Sequence, residues 1–410
     1  VSTALATFTQ AVASLHAAGN LVDELSSTVM LADMWLVAGR PSKARRLYGQ
    51  ALRLAEAHGE PVALATADLH VGLSEIDLES GDLEGAKRHL ETAGEFVERA
   101  SMTESRYRWF MVMGRVADVE GDPRVAIDLL EKAEQLYRPG FFPNVRPLAA
   151  MKARVWISRG DLPQAVDWAQ ERAMSATGDG HPDASNAVDS KADSSNPDDP
   201  AADDTDYLRE FDHLTFVRLL IAQYRARPDT GAIDQAARLL DRLLGAAEIS
   251  GRAGSALEIR MLQALALDAR GHRPQALEAL ARALAQAPEP EGYLRLFLDE
   301  GAPMMALLSN ATHQGDAGDH VRRLLSLGAA AETEATGMAQ RPAPSSPESL
   351  SERELQVLKL LDSELSGPQI ARELYVSHNT LRTHTKHIFT KLDVTNRRAA
   401  VRRARERGLL

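Results

Sequence analysis

A glycine followed five residues later by an alanine recurs along this chain at an almost constant interval. The pairs are Gly39/Ala44, Gly81/Ala86, Gly121/Ala126 and Gly160/Ala165, then Gly231/Ala236 and Gly271/Ala276. Successive glycines stand 42, 40, 39, 71 and 40 residues apart. Amphipathic stretches lie on both sides of each pair. Glycine is the residue that ends a helix in the left-handed conformation. Asp82, Asp122 and Asp161 follow as candidate caps, and Pro41, Pro123 and Pro163 suit a first helical turn. The alanine stands where the second helix must approach its neighbour closely. Each unit is therefore a helical hairpin that cannot bury its apolar face alone, and such units stack into an array. The period exceeds the 34 residues of a tetratricopeptide repeat, so longer helices in the same architecture are expected.

Composition agrees. The 410 residues are 44 % hydrophobic but only 5 % aromatic, as in a helical protein of more than one domain. The predicted fold class is all-α: a tetratricopeptide-like helical-repeat array followed by a small four-helix domain. Residues 1–310 form the repeat domain, opened by a lone helix at Val1–Ala18 and closed by Gly292–Leu308 as a last helix plus turn. Residues 311–349 hold a short basic helix, "HVRRLLSLG", and a flexible linker beginning "AAAETEATG". Residues 350–410 form the last domain.

The 71-residue interval contains "SATGDGHPDASNAVDSKADSSNPDDPAADDTD", residues 175–206, with nine Asp and one Lys. Its only apolar residues are alanines and Val188. Burial cannot offset its ordering entropy, which predicts a disordered acidic loop inserted between repeats.

Several classes of chemistry find no support. There is no cysteine, hence no disulfide framework or thiol nucleophile. No G-x-x-x-x-G-K-[ST], H-E-x-x-H or G-x-S-x-G occurs. His384 and His387 share a helix face without a third ligand beside them, which argues against a metal. No catalytic, cofactor-binding or metal residue is expected, and the chain is read as no enzyme. No apolar run reaches the ~20 residues of a membrane span, and the N-terminus carries no basic leader. A cytoplasmic protein is expected.

Net charge is −11 overall. Residues 350–410 hold twelve Lys+Arg against seven Asp+Glu, a net of +5, and the rest carries −16. A basic module on an acidic body points to a polyanion partner. Within it, Ser351 and Glu354 form a capping box before Leu355, Leu358 and Leu361. A second helix begins at Ser366, with Ile370, Ala371 and Leu374 inward. A third, "HNTLRTHTKHIFTKL", is capped by Ser377, and a fourth is "NRRAAVRRARERG". At about 100° per residue the third helix gathers Leu381, Thr385, Ile388 and Leu392 on one narrow apolar face. Arg382, Thr383, Lys386 and His387 point away from it. Two helices joined by a short turn, the second with such a face, match a helix-turn-helix, whose donors suit base edges in a major groove.

The segment "LSERELQVLKLL…LSGPQIARELYVSHNTLRTHTKHIFTKLDVTNRRAAV" resembles the DNA-binding domain of LuxR-type bacterial transcription regulators. The repeats, with "YLREFDHLTFVRLLIA" and "GYLRLFLDEG", resemble the helical region of the MalT-like branch, the large ATP-binding LuxR regulators. The resemblance implies base contacts by Arg382, Thr383, Lys386 and His387. It places Ser377, Asn379, Thr380 and Lys391 near phosphates, and Val401, Ala404 and Arg405 in a dimer contact. The sequence departs from that family at Glu364 and Asp393, where glycine is common, and at Gly367-Pro368, which replaces a polar-basic pair. With no phosphate loop in the sequence, a branch lacking the N-terminal ATPase module is expected. The expected partners are double-stranded DNA bound as a homodimer, RNA polymerase, and a small-molecule inducer or protein on the repeats. The alternative is a protein-interaction scaffold with incidental DNA binding.

Overall fold

The computed structural model describes residues 2–58, 63–99, 103–138, 146–172, 207–228, 230–287, 292–314 and 318–339. In the C-terminal part it describes 352–363, 365–366, 369–370, 385, 388–389, 392, 394, 396–407 and 409. Every regular element among the described residues is a helix. The acidic segment 175–206 lies outside them. The chain divides into two compact units, Val1–Ala329 and Ala330–Leu410.

The first unit opens with α1 (Ser2–Ala17), α2 (Leu21–Val37), α3 (Pro41–His58), α4 (Ala63–Glu79), α5 (Leu83–Arg99), α6 (Thr103–Val119) and α7 (Pro123–Leu136). It continues with α8 (Leu148–Arg159), α9 (Leu162–Glu171), α10 (Tyr207–Ala226), α11 (Thr230–Ile249), α12 (Ala253–Ala269) and α13 (Arg273–Ala285). Then come α14 (Leu294–Leu298), α15 (Ala302–Gln314) and α16 (Asp319–Ala339), which begins in this unit and runs past its last residue, Ala329.

The repeat signature has a local cause. Gly39, Gly81, Gly121, Gly160 and Gly271 all have φ between +75° and +84°. At each, the glycine N–H and the next N–H turn back onto carbonyls of the finished helix, as in Gly160→Ile157 (3.0 Å) and Asp161→Trp156 (2.9 Å). This pairing satisfies carbonyls that a helix end leaves orphaned. Ala44, Ala86, Ala126, Ala165, Ala236 and Ala276 are all fully buried. Asp82 Oδ1 accepts from the Gly85 N–H and Asp122 Oδ1 from the Val125 N–H.

Three details differ from expectation. Asp161 makes no side-chain cap, and one of its two candidate donors is Pro163, which has no N–H. Gly231 ends no helix. It lies in the first turn of α11, whereas Gly251, with φ +68° and Ala256 buried five residues on, supplies the same corner between α11 and α12. The short helix expected at "HVRRLLSLG" runs on to Ala339, because the Ala- and Glu-rich stretch after Gly328 favours helix.

Packing is hairpin by hairpin. Leu25, Val29, Ala44, Tyr48, Leu69 and Ile76 centre one apolar cluster, and Val71, Leu90, Val112, Leu130 and Val155 another. A third, larger one runs from Ala150 to Leu324 and takes in Phe297 and Leu307. Helices α2, α4 and α6 stack side by side, as do α8, α10 and α12. The array closes on itself, since α2 touches α12 and α4 touches α14.

Candidate nucleic-acid interface

In the second unit α17 (Glu352–Leu361) and α18 (Arg397–Glu406) pack together. Their core is Val357, Leu358, Leu361, Ile370, Ile388, Leu392, Ala400 and Ala404. Leu358 and Leu361 are buried as the apolar stripe of α17 requires, but Leu355 is only partly buried, and Val357 takes the central place. Ile388 and Leu392, four residues apart on the expected third helix, are both fully buried, and Thr385 beside them is half-buried. Residues at i and i+4 share one face, so the described part of the expected apolar face, Thr385, Ile388 and Leu392, is turned to the core, while Leu381 lies outside the described residues.

The second helix starts where its sequence indicates. The Ser366 N–H and hydroxyl both donate to Gln369 Oε1, at 2.8 and 2.7 Å, and the Ile370 N–H reaches Ser366 O at 2.9 Å. At the far end, Asn396 Oδ1 accepts from the Ala399 N–H at 2.9 Å and caps α18.

Arg397, which sequence reasoning passed over, joins these parts. Its guanidinium donates to the carbonyls of Leu361 (2.7 Å), Leu365 (2.7 Å), Ser363 (2.6 Å) and Leu360 (3.4 Å). One side chain thus closes the C-terminal end of α17, where a cation also meets the negative end of the helix dipole. The only signal was an arginine directly after a cap residue. Arg405 adds an ion pair to Asp362 through Nη2, at 2.8 and 2.9 Å.

The residues expected at bases, Arg382, Thr383, Lys386 and His387, lie outside the described residues. So do Ser377, Asn379, Thr380 and Lys391, expected at phosphates. Of the three expected in a dimer contact, Val401 is half-buried and Arg405 is exposed. Ala404 is fully buried in the core of its own domain, so its side chain serves packing within the chain.

A second concentration of charge lies among the first helices of the repeat hairpins. Arg108 on α6 stands 3.4 Å from Asp33 on α2, and 3.9 and 3.8 Å from Asp68 and Glu75 on α4. Arg146 also reaches Glu75, at 3.0 Å. Glu258 on α12 lies between Arg154 (3.1 Å) and Arg218 (2.9 Å), and Arg218 continues to Glu300 at 2.6 Å. Burial alone would push the Glu258 carboxyl up, but the flanking guanidiniums outweigh it and hold the group at about 2. Burial and the neighbouring Arg218 lower Arg154 to about 10. No group of three or more His, Asp or Glu among the described residues is placed to hold a metal ion.

Comparison with known proteins agrees with this division. Residues 1–314 match the family described as the MalT-like TPR region, and residues 348–404 match the bacterial regulatory proteins of the luxR family. The chain is 28 % identical over 200 residues to the HTH-type transcriptional regulator MalT of Vibrio cholerae serotype O1, covering 44 % of this chain and 22 % of that protein. It is 45 % identical over 71 residues to the probable transcriptional regulatory protein NarL of Mycobacterium tuberculosis, covering 17 % and 32 %. It is 41 % identical over 58 residues to the HTH-type transcriptional regulator AlkS of Alcanivorax borkumensis, covering 14 % and 7 %. The chain thus spans a third or less of the length of each of these relatives. No described helix is long and apolar enough to cross a membrane. With its hairpin array matched from end to end and a luxR-type segment after it, the chain belongs to the family of the MalT-like TPR region.

Proposed function

We propose that this chain is a sequence-specific DNA-binding transcription regulator, an activator whose C-terminal domain is controlled through the helical repeats. The observation that carries the reading is the luxR-family match over residues 348–404, on a segment whose Ile388 and Leu392 turn one helix face into the core. Arg382, Thr383, Lys386 and His387 then read base edges, and Ser377, Asn379, Thr380 and Lys391 hold phosphates. The domain organisation is 1–310 for the repeats, 311–349 for the connection and 350–410 for DNA binding. The protein acts in the cytoplasm and performs no catalysis. It binds DNA as a homodimer through the helix that carries Val401, Ala404 and Arg405, on half-sites about one helical turn, or a multiple of it, apart. RNA polymerase is its partner at the promoter, and a small-molecule inducer or a protein on the repeats sets its activity. Selection of genomic fragments by the purified chain tests this. Enrichment of one motif with paired half-sites is expected, with affinity falling steeply as salt rises. Recovery of random sequence would overturn it.

A further inference from the structure

The first helices of the hairpins carry their charge in two blocks. Taken round the array their order is α12, α2, α4, α6, α8 and α10, with α2 against α12 and Gly292 against the Pro41 ring where the ends meet. Helices α12, α2 and α4 hold nine Asp+Glu and one Arg. Helices α6, α8 and α10 hold nine Lys+Arg and four Asp+Glu. On α4, Asp68, Glu75 and Glu79 share one face by their spacing, while Leu69, Leu73 and Ile76 turn to the cluster shared with α3. The charged faces of α4 and α6 meet rung by rung. Ser105 donates to Asp68 Oδ2 at 3.1 Å, Arg108 stands 3.8 Å from Glu75, and Arg115 stands 2.9 Å from Glu79. These faces look away from the second helices, onto the inner side of the array. That side is acidic along one half and basic along the other.

Where the two halves join over α4, four side chains form a row. Asp33, Arg108, Glu75 and Arg146 follow one another with gaps of 3.4, 3.8 and 3.0 Å. The inner two are buried, with Arg108 8 % and Glu75 9 % exposed. The outer two are open, Asp33 at 40 % and Arg146 at 39 %. Arg108 Nη1 is buried without a hydrogen-bond partner, and the three carboxylates round this guanidinium, Asp33, Asp68 and Glu75, stand at 3.4 to 3.9 Å. Those distances exceed the ~3.2 Å of an ordinary N–H···O bond. Charge rather than close bonding therefore holds Arg108 in place. Three carboxylates meet two guanidiniums here, so the group accommodates one more positive charge. Asp33 takes a hydrogen bond from the Tyr48 hydroxyl on one oxygen and keeps an open face.

We propose that this inner face binds a short peptide with free ends, its ammonium on Asp33 and its carboxylate on Arg146. The ammonium supplies the further positive charge as a charge-assisted donor. The carboxylate meets the open side of a guanidinium, whose planar fork suits it. Arg108 and Glu75 hold the two end charges apart, as two or three residues do at ~3.3–3.6 Å each. A wall of one sign would favour a polyion, whereas a wall divided by sign favours a ligand divided likewise. Such a peptide is the inducer of the function proposed above, and that role rests on that reading. Binding itself needs no DNA, so the two fail separately.

The full chain, without DNA, is incubated with an equimolar tripeptide library carrying free ends, and retained peptides are identified by ultrafiltration and mass spectrometry. Retention of a small set is expected. Acetylating the amine of a retained peptide, or amidating its carboxylate, should weaken binding by about 10-fold or more in calorimetric titration. Asp33→Asn should remove the penalty of acetylation and keep that of amidation, and Arg146→Gln should do the reverse. Both side chains are open, and circular dichroism checks that the variants fold. If either does not, the free and blocked peptides on the unsubstituted chain decide alone. Retention of no peptide by a chain of intact helicity overturns the proposal, as does equal affinity for free and blocked forms. Variants that respond to both blocks as the unsubstituted chain does overturn the placement of the two ends.

Discussion

The ring of Tyr48 lies over Gly72 so closely that any side chain at position 72 would overlap it. Tyr48 is fully buried, and its hydroxyl donates to Asp33 Oδ1, which ties α3 to α2 while the ring packs on α4. A ring fixed at both ends cannot swing aside. Gly72→Ala should therefore cost about 1–3 kcal/mol as overpacking, despite alanine's better helix propensity. Urea unfolding followed by circular dichroism measures it. Adding Tyr48→Leu should recover part of the loss, because the smaller side chain frees the space.

Glu258 is the shared anion of Arg154 and Arg218. Glu258→Gln leaves two largely buried guanidiniums without it and should destabilise the array by about 3–5 kcal/mol. The folded carboxyl sits at about 2, below its ordinary 4.5. Its contribution is thus present above pH 4.5 and is lost as pH falls from there towards 2. Thermal melts across that window should show a steeper acid loss in the unsubstituted chain than in Glu258→Gln. Equal slopes would remove Glu258 from the acid response.

His70 on α4 and His89 on α5 face each other Nδ1 to Nδ1 at 2.8 Å, a contact that holds one proton and not two. Burial, then the neighbouring His89, lowers His70 to about 4. Burial also lowers His89, against the pull of Asp77 and with Arg45 and Arg88 adding to it. A histidine depressed in the folded state contributes stability that is full above about pH 6.5 and falls away as pH drops towards 4. The change is on the order of 3 kcal/mol for His70. His70→Phe should flatten the stability profile between those limits.

Arg397 serves four carbonyls at the end of α17. Arg397→Ala strands them and should raise hydrogen exchange of the amides from Val357 to Ser363 by about 5- to 30-fold, a loss of one to two kcal/mol. Arg397→Lys should not restore protection, since an ammonium cannot span the same acceptors.

On DNA, Arg382→Ala should cost ~1–3 kcal/mol on a selected site and relax base choice there, while Lys391→Ala should weaken all sequences alike. Titration of both variants against selected and scrambled duplexes separates the two. Equal losses on both duplexes for Arg382→Ala would exclude it from base reading.

The hairpins could be read from the chain because their cause is local. A glycine that must adopt positive φ and an alanine that must be buried leave marks five residues apart. The same locality explains the errors. Gly231/Ala236 reproduces the spacing inside one helix, and Gly251/Ala256 went unnoticed because it joins two units rather than the halves of one. The inward face of the segment holding Ile388 and Leu392 was equally visible, since an apolar stripe at helical period requires only neighbours in sequence. Arg397 was not, because its partners are main-chain carbonyls, which no residue type announces.

Helices, their corners and the basic character of the last domain follow from residues within a few turns of each other, where backbone sterics and side-chain periodicity decide. Only the tertiary structure brings Arg154 to Glu258, 104 residues away, and Gly292 to Pro41. Those meetings depend on a small rotation from each hairpin to the next, accumulated over the array until its ends coincide. The individual angles arise from packing between helices, and no short stretch of sequence contains their sum.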